Sequence, residues 1–382
     1  MGRGWGAQEV QTHPHPNLPE GEGTDSPNEL LGLKKFREQI DHIDDELLKL
    51  FNQRAGLAQQ IGHAKGNGAV LRPEREAQVL QRLIDANKGP LPGQGVAALF
   101  TEVMSQCRAL EAPLRVAYLG PHGTFSEAAV FQRFGQAAEG LPADSIDGVF
   151  SAVESGAANY GLVPVENSTE GAVGRTLDLL LNSNLNICGE VLLQVHQCLM
   201  SNENELSAIR KVYSHPQSFG QCQSWLHAHL PHAERVTASS NADAARLAAE
   251  ESFAAAIGGA QAAQHFKLKV LVQNIEDDAR NTTRFLVIGK QEVAPSGRDK
   301  TSLVMSAPNR PGAVHDLLVP LAQNGVSMTK LESRPSRTGL WEYVFYLDIE
   351  GHQSDSKVAT ALAQLKQIAA FVKVLGSYPV AV

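Results

Sequence analysis

Cysteine is scarce in this chain of 382 residues, and the four present (Cys107, Cys188, Cys198, Cys222) form no CxxC pair and no metal-ligand spacing. That excludes a disulfide framework and a zinc ribbon, and reads as reduced thiols of a cytoplasmic protein. No run of about 18 apolar residues occurs, so no membrane-spanning helix is expected. Lysine and arginine form no block and no stripe interleaved with aromatics, and the net charge is −8. Nucleic acid and anionic membrane are therefore poor partners, and an anionic substrate would have to be drawn in by local arginines. The glycine spacing of a dinucleotide fingerprint is missing too. GPHGTF at 120–125 follows a strand pattern, but its glycines are wrongly placed, which disfavours a nicotinamide dehydrogenase. No cofactor and no metal are expected; His13 and His15 lie in a Gly- and Pro-rich stretch, 1–28, that lacks the apolar segment of a signal peptide and reads as a disordered tail.

What is present fits an ordinary globular protein of two or three domains: 43% hydrophobic residues and 19% charged. From Leu30 to Lys65 the period is helical, through Leu33, Phe36, Ile40, Ile43, Leu47, Leu50, Arg54, Leu57 and Ile61, and Gly66-Asn67-Gly68 supplies the stop. Such a helix would be about 54 Å long, too long for one member of a compact 80-residue monomer, so pairing with another chain is the natural way to bury its stripe. A second helix is predicted from Pro73 to about Asn87. A third carries Val96, Leu99, Val103, Cys107 and Leu110 and ends near Glu111, giving an all-α unit over 29–112.

Arg54 occupies a stripe position that asks for an apolar side chain. It could snorkel or form a salt bridge. Lys65, eleven residues on, projects from nearly the same face, and two cations on one buried face want an anion between them. Arg75, in the first turn of the second helix, is either a third cation or an exposed charge. Arg37 lies roughly 25 Å from Arg54 along the axis and so would serve the matching site of a partner chain. Glu111 continues the third stripe at i+4 from Cys107. As a neutral acid it could donate to an ether oxygen; as an anion it could not.

From Leu114 the texture changes to short apolar strands (RVAYLG, YGLVPVE, LNICGEV, KVYSH, AAAIGG, RFLVIGK) alternating with helical patterns, an α/β unit over 114–291. Polar clusters stand at strand ends in GPHGTFSE, VPVENSTEG, YSHPQSFGQC and NTTRF. Each alone could be a helix cap or a turn; four together point to one cleft. FLVI, apolar at every position, reads as a central strand with the four polar residues NTTR directly before it. Strand alternation forbids Thr283 and Arg284 from entering one cleft together unless the strand is irregular, so Arg284 either binds a carboxylate or forms a structural ion pair. After a linker at 292–300, the β-α-β-β-α-β order of 301–378 is the ferredoxin-like pattern.

The segments FREQIDHID, LLKLFNQRAGLAQQIGHAK, RPERE and VMSQCRALE resemble an all-α chorismate mutase, a family that binds dianionic chorismate in an intertwined dimer. The resemblance implies a cationic set of Arg54, Lys65, Arg75 and the partner chain's copy of Arg37, with Glu76 contacting the substrate hydroxyl. Cys107 departs from the serine of some members and receives no role; Glu111 stands where some relatives carry glutamine. The four polar clusters resemble prephenate dehydratase, which implies two α/β lobes similar to periplasmic binding proteins. It also implies catalysis by Thr283, and cleft residues among Thr124, Asn167, Ser168, Ser214, His215, Gln221 and Arg284. Gly259 departs from the serine of many relatives. NRPGAVHDLL and ESRP resemble an ACT domain of the phenylalanine-binding type. Gly312, Ala313, Val314 and His315, with Glu332, Ser333 and Arg334, are its implied effector site.

The sequence is thus expected to encode a cytoplasmic homodimer or higher oligomer. It would convert chorismate to prephenate and prephenate to phenylpyruvate under feedback by L-phenylalanine. A non-catalytic aromatic-acid sensor and a dehydratase with an inactive mutase unit are the alternatives.

Overall fold

A computed structural model describes residues 27–65, 71–307, 310–335 and 343–381, with the side chains of 27–31 and 65 outside that description. The expected tail therefore falls outside the described residues up to residue 26, as does the Gly66–Gly68 stop. Two compact units divide after Gln53, within the first helix.

The first unit contributes the leading part of α1 (Pro27–Lys65). Its apolar stripe, Leu33, Phe36, Ile40, Ile43, Leu47 and Leu50, stands exposed. The second unit holds the end of that helix, then α2 (Pro73–Ala86) and α3 (Gly93–Ala109). Pro73 sits in the first turn of α2, where a missing N–H costs nothing.

The α/β region makes two sheets. The first takes β1 (Arg115–Leu119), β2 (Glu139–Ala143), β3 (Tyr160–Asn167), the two-residue β4 (Gly171–Ala172) and β5 (Asn186–Gln194). The chain crosses into the second sheet for β6 (Cys198–Ser201), β7 (Lys211–Ser214), β8 (Glu234–Thr237), β9 (Ala254–Gly258) and β10 (Lys269–Val272). It returns to the first as β11 (Thr282–Gly289). The orders are β2-β1-β3-β11-β5 and β10-β6-β9-β7-β8. FLVI therefore does form a central strand, antiparallel to β3 on one side and β5 on the other. The two crossings hydrogen-bond to each other, Val195 N to Asn281 O at 2.8 Å and Ile275 N to Gln197 O at 2.9 Å. Two lobes on a paired hinge result.

Helices α4 (Phe125–Phe134), α5 (Ile146–Ser155) and α6 (Gly174–Asn182) cover the first lobe; α7 (Pro216–Gln221), α8 (Gln223–His229), α9 (Asn241–Glu250) and α10 (Ala260–Phe266) cover the second. Their starts follow local chemistry. Ser145 and Ser240 accept from Gly148 N at 3.1 Å and Asp243 N at 3.0 Å, satisfying first-turn donors.

The C-terminal region has the expected β-α-β-β-α-β order: β12 (Asp299–Ser306), α11 (Ala313–Gln323), β13 (Met328–Pro335), β14 (Tyr343–Glu350), α12 (Ser356–Ile368) and β15 (Phe371–Pro379). Its sheet runs β13-β14-β12-β15. Alternation along β12 sends Leu303 and Met305 toward α11 and α12, and Val304 toward the first lobe. There Val304, Val344, Tyr346, Leu375 and Tyr378 share one core with Val149, Val163 and Ile187. Gly376 makes the closest approach: at φ 153° its backbone lies so near Ile187 that a Cβ would stand 2.3 Å from the carbonyl oxygen.

Candidate active sites

In the helical region a cavity of about 310 Å³ is lined by Arg54, Leu57, Ala58 and Ile61 of α1, by Arg72, Arg75, Glu76 and Val79 at the start of α2, and by Met104, Cys107, Arg108 and Glu111. It brings together Arg54, Arg75, Glu76 and Glu111 from the predicted set. The side chain of Lys65 lies outside the described residues, and Arg37, exposed on α1, belongs to the other unit. Helix α3 ends at Ala109, so Glu111 reaches the cavity from a turn, its N–H bonded to Arg108 O at 2.9 Å, rather than from the helical stripe. Room for it comes from Gly62, where a Cβ would stand 2.9 Å from Glu111 Cγ.

Two cavity arginines were not among the predicted residues. Arg72 pairs with Glu74 at 3.0 Å. Arg108, only 7% exposed, donates to Glu76 and to Phe134 O at 2.6 Å. Burial lowers its pKa, against the attraction of Glu76. In sequence Arg108 reads as a cation in the last turn of a helix, where the dipole welcomes it, and nothing in the pattern marks it as buried.

In the α/β region three of the polar clusters border the hinge, VPVENSTEG and NTTRF on the first lobe and YSHPQSFGQC on the second. Thr283 pairs with Asn167 across β11 and β3. Asn167 Nδ2 donates to Thr283 Oγ1 and to Asn281 Oδ1, each at 2.9 Å. Its Oδ1 accepts from Thr169 N at 3.0 Å, Thr169 Oγ1 at 2.6 Å and Glu170 N at 3.3 Å. The amide is fully committed, and its role in this geometry is to hold Thr283. The Thr283 oxygen accepts, which leaves its own proton to donate elsewhere. Ser168 Oγ accepts from Thr282 N at 3.0 Å, closing the same corner.

On the second lobe Asn241 organises the counterpart. Its Oδ1 accepts from Ser214 Oγ at 3.4 Å and His215 N at 3.2 Å, while its Nδ2 donates to Ser218 Oγ at 2.8 Å. Gln197, in the hinge, donates to Ser218 Oγ at 3.1 Å and Gln221 Oε1 at 3.0 Å. His215 also caps α7 through Nδ1. Among the described residues Gln197 Oε1 and Asn281 Nδ2 are buried without a hydrogen-bond partner, one acceptor and one donor on the two hinge crossings. Buried amides left so are costly unless a ligand meets them. Asn241, Ser218, Gln197 and Asn281 were not predicted; Asn281 stands inside NTTRF itself, and Asn241 follows two serines that read as a cap.

Thr124 caps α4, accepting from Glu127 N at 3.4 Å, in a loop where His122 stacks on His265 of the second lobe with centroids 5.5 Å apart. Gly259 starts α10, and a Cβ there would stand 3.0 Å from the Phe125 ring. The ring fills the space that a side chain would need.

Arg284 points away from Thr283. Its guanidinium pairs with Glu190 at 2.8 Å and with Asp348 of β14, and donates to Tyr378 OH at 3.0 Å. Of the two sequence readings, a carboxylate ligand or a structural ion pair, the side chain takes the second geometry. Burial opposes its charge, yet Tyr378, Asp348 and Glu190 together raise its pKa above that of ordinary arginine.

In the C-terminal region Gly312, at φ 77°, precedes the buried Ala313 and the exposed Val314 and His315 at the start of α11. Along β13, Ser333 is exposed, whereas Glu332 and Arg334 are half-buried. Arg334 donates to Asp178 at 3.2 Å and lies over Gly174 of α6, so it anchors this region to the first lobe.

Comparison with known proteins agrees with these three regions. Residues 36–112 match the family model for chorismate mutase type II, 116–293 that for prephenate dehydratase, and 301–367 that for the ACT domain. A bifunctional chorismate mutase/prephenate dehydratase of Neisseria gonorrhoeae is 54% identical over 353 residues, covering 92% of this chain and 98% of the relative. One from Pseudomonas aeruginosa is 50% identical over 358 residues, with the same coverage. The solved prephenate dehydratase of Arthrobacter aurescens in complex with L-Phe is 36% identical, with a TM-score of 0.65 over 70% of this chain and 90% of that one.

Proposed function

The chain belongs to the bifunctional chorismate mutase/prephenate dehydratase family, and from that premise we propose that it performs both reactions, in the cytoplasm, as a dimer or larger oligomer inhibited by L-phenylalanine. The observation that carries the reading is the convergence of Arg54, Arg75, Glu76 and Glu111 on one cavity. The rearrangement of chorismate is unimolecular and pericyclic, so a cavity needs no nucleophile. It must hold the compact diaxial conformer and place positive charge and a hydrogen-bond donor near the breaking C–O bond. Arg54 and Arg75, with Lys65 and the Arg37 supplied by a second chain, are the proposed cations. Glu76 accepts from the substrate hydroxyl, and Glu111 donates to the ether oxygen. The exposed stripe of α1 supports the second chain, because ten large apolar side chains from Leu33 to Ile61 are left in water otherwise.

At the second site prephenate loses its ring carboxylate as carbon dioxide. The electron pair of that C–C bond enters the ring, and the C4 hydroxyl departs as water on receiving a proton. Aromatisation drives the step, and the protein's part is to assist the leaving hydroxyl. Thr283, whose oxygen accepts from Asn167, is the proposed donor to it. The unpaired amide groups of Asn281 and Gln197 are the proposed contacts for the substrate's polar groups, together with Ser168, Ser214, His215 and Gln221. For the effector, the α11 amides beginning at Gly312 and the exposed Ser333 are the proposed contacts, with Glu332 beside them.

Incubating the protein with chorismate while following prephenate and phenylpyruvate tests the whole reading. Phenylpyruvate should form from either acid, and less of it when phenylalanine is present. Turnover of prephenate alone would mean an inactive mutase, and turnover of neither would mean a sensor. The role of Glu111 has its own signature. Glu111→Gln keeps a hydrogen-bond donor of the same shape and should keep most of the mutase activity, whereas Glu111→Ala, which offers no donor, should lose most of it. Full mutase activity in Glu111→Ala would refute that role.

A further inference from the structure

One of the two acids of the mutase cavity, Glu76, is held in part from outside the helical region. Glu76 presents both carboxylate oxygens to guanidinium groups: Oε1 to Arg108 of α3 and Oε2 to Arg133 of α4 at 3.0 Å. Helix α4 belongs to the dehydratase lobe, within the segment that matches the prephenate dehydratase model. Glu76 is 15% exposed and Arg133 19%, so water competes weakly for this pair. We propose that Arg133 is a positioning residue for the chorismate mutase site, contributed by the dehydratase region and acting through Glu76. This rests on the reading above in which Glu76 accepts from the substrate hydroxyl.

The chemistry of a carboxylate explains why a second guanidinium matters. An ionised carboxyl offers about four lone-pair directions over its two oxygens. Arg108 takes one and also bonds Phe134 O at 2.6 Å, so it is fixed in place. With Arg108 alone the carboxylate could still rotate about its last bond. Arg133 on the other oxygen stops that rotation and leaves the remaining lone pairs aimed where a hydroxyl can meet them. Arg133 also offsets the negative charge that Glu76 brings to a cavity meant for a dianion, without itself lining that cavity. Arg133 in turn packs beside the Phe134 ring, 5.5 Å from its centroid, and Phe134 is fully buried. The dehydratase core therefore sets its direction.

The test uses the full chain with chorismate and prephenate assayed separately. Arg133→Met should lower mutase kcat/KM by about tenfold, the order expected for one charge-assisted hydrogen bond, mostly through kcat. Turnover of supplied prephenate should stay unchanged, and Arg133→Lys should recover part of the loss. In a Glu76→Gln background, itself impaired, Arg133→Met should add less than about twofold, because both changes act through one group. Full mutase activity in Arg133→Met, beside an impaired Glu76→Gln, would overturn the proposal and leave Arg133 as an adhesive between regions. A parallel fall of both activities and of the melting temperature would overturn it equally. Full activity in Glu76→Gln would instead remove the reading on which it rests.

Discussion

Thr283→Val is expected to slow prephenate turnover by about 10²–10⁴-fold, the usual share of a positioned proton donor, while leaving chorismate turnover untouched. Valine keeps the branched shape that suits a strand and removes only the hydroxyl. The bond from Asn167 makes the case for that hydroxyl: with its oxygen accepting at 2.9 Å, the O–H of Thr283 is the donor left over at the corner of the cleft. Thr283→Ser should keep the donor and most of the rate. Given chorismate, Thr283→Val should accumulate prephenate, a product that quantitative chromatography of the mixture resolves. A valine variant that makes phenylpyruvate at the normal rate would show that Thr283 only shapes the cleft.

Much of this architecture is legible in the sequence because periodicity and interruption agree there. The stripe from Leu33 to Ile61 gives α1, proline places the start of α2, and FLVI gives the central strand β11. What stays hidden has physical causes. Strands β2, β8 and β10 stand at sheet edges with no fully buried residue, so they lack the buried run that marks β1, β7 and β9 at the same length. Arg108 and Arg133 look like charges in last helical turns. Only the fold reveals that Glu76 lies between them.

The linker illustrates a subtler loss. QEVAPSGRDK reads as a linker between the α/β unit and the C-terminal one. In the fold Val293 is buried in the first-lobe core, its carbonyl accepts from His352 at 2.9 Å, and β12 begins at Asp299. Composition reports the polar residues but is silent about a core shared between distant strands. Point changes at this junction will be more informative than removal of residues 301–382, which would bare Ile187, Val163 and their neighbours.

Arg284 is the place to make such a change, and Arg284→Met is expected to cost about 3–5 kcal/mol of stability, a fall of roughly 10 °C in melting temperature. The arginine, Glu190 and Asp348 are 11%, 1% and 9% exposed, so the pair is desolvated rather than screened. The hydrogen bonds close on themselves. Arg284 donates to Tyr378, Ser302 donates its one proton to Asp348, and Tyr378 must therefore donate to Ser302 at 2.7 Å. Burial raises the Tyr378 pKa well above its ordinary value, so it stays a neutral donor. Methionine fills the volume but leaves Asp348 facing Tyr378 and Ser302 with no cation. Glu190 keeps Lys300 at 2.9 Å, which holds the loss toward the lower figure. Arg284→Met with Asp348→Asn should regain part of the melting temperature, since the stranded charge is then gone. The same variant carries a message for catalysis. Arg284 and Glu166 follow and precede Thr283 and Asn167 on paired strands, and Glu166 is held by Lys330 of β13 at 2.6 Å. Alternation therefore puts Thr283 and Asn167 on one face and two ties to the ACT sheet on the other. Below its melting temperature Arg284→Met should turn over prephenate more slowly and chorismate normally. An unchanged melting temperature would show that this buried cycle is not what joins the two sheets.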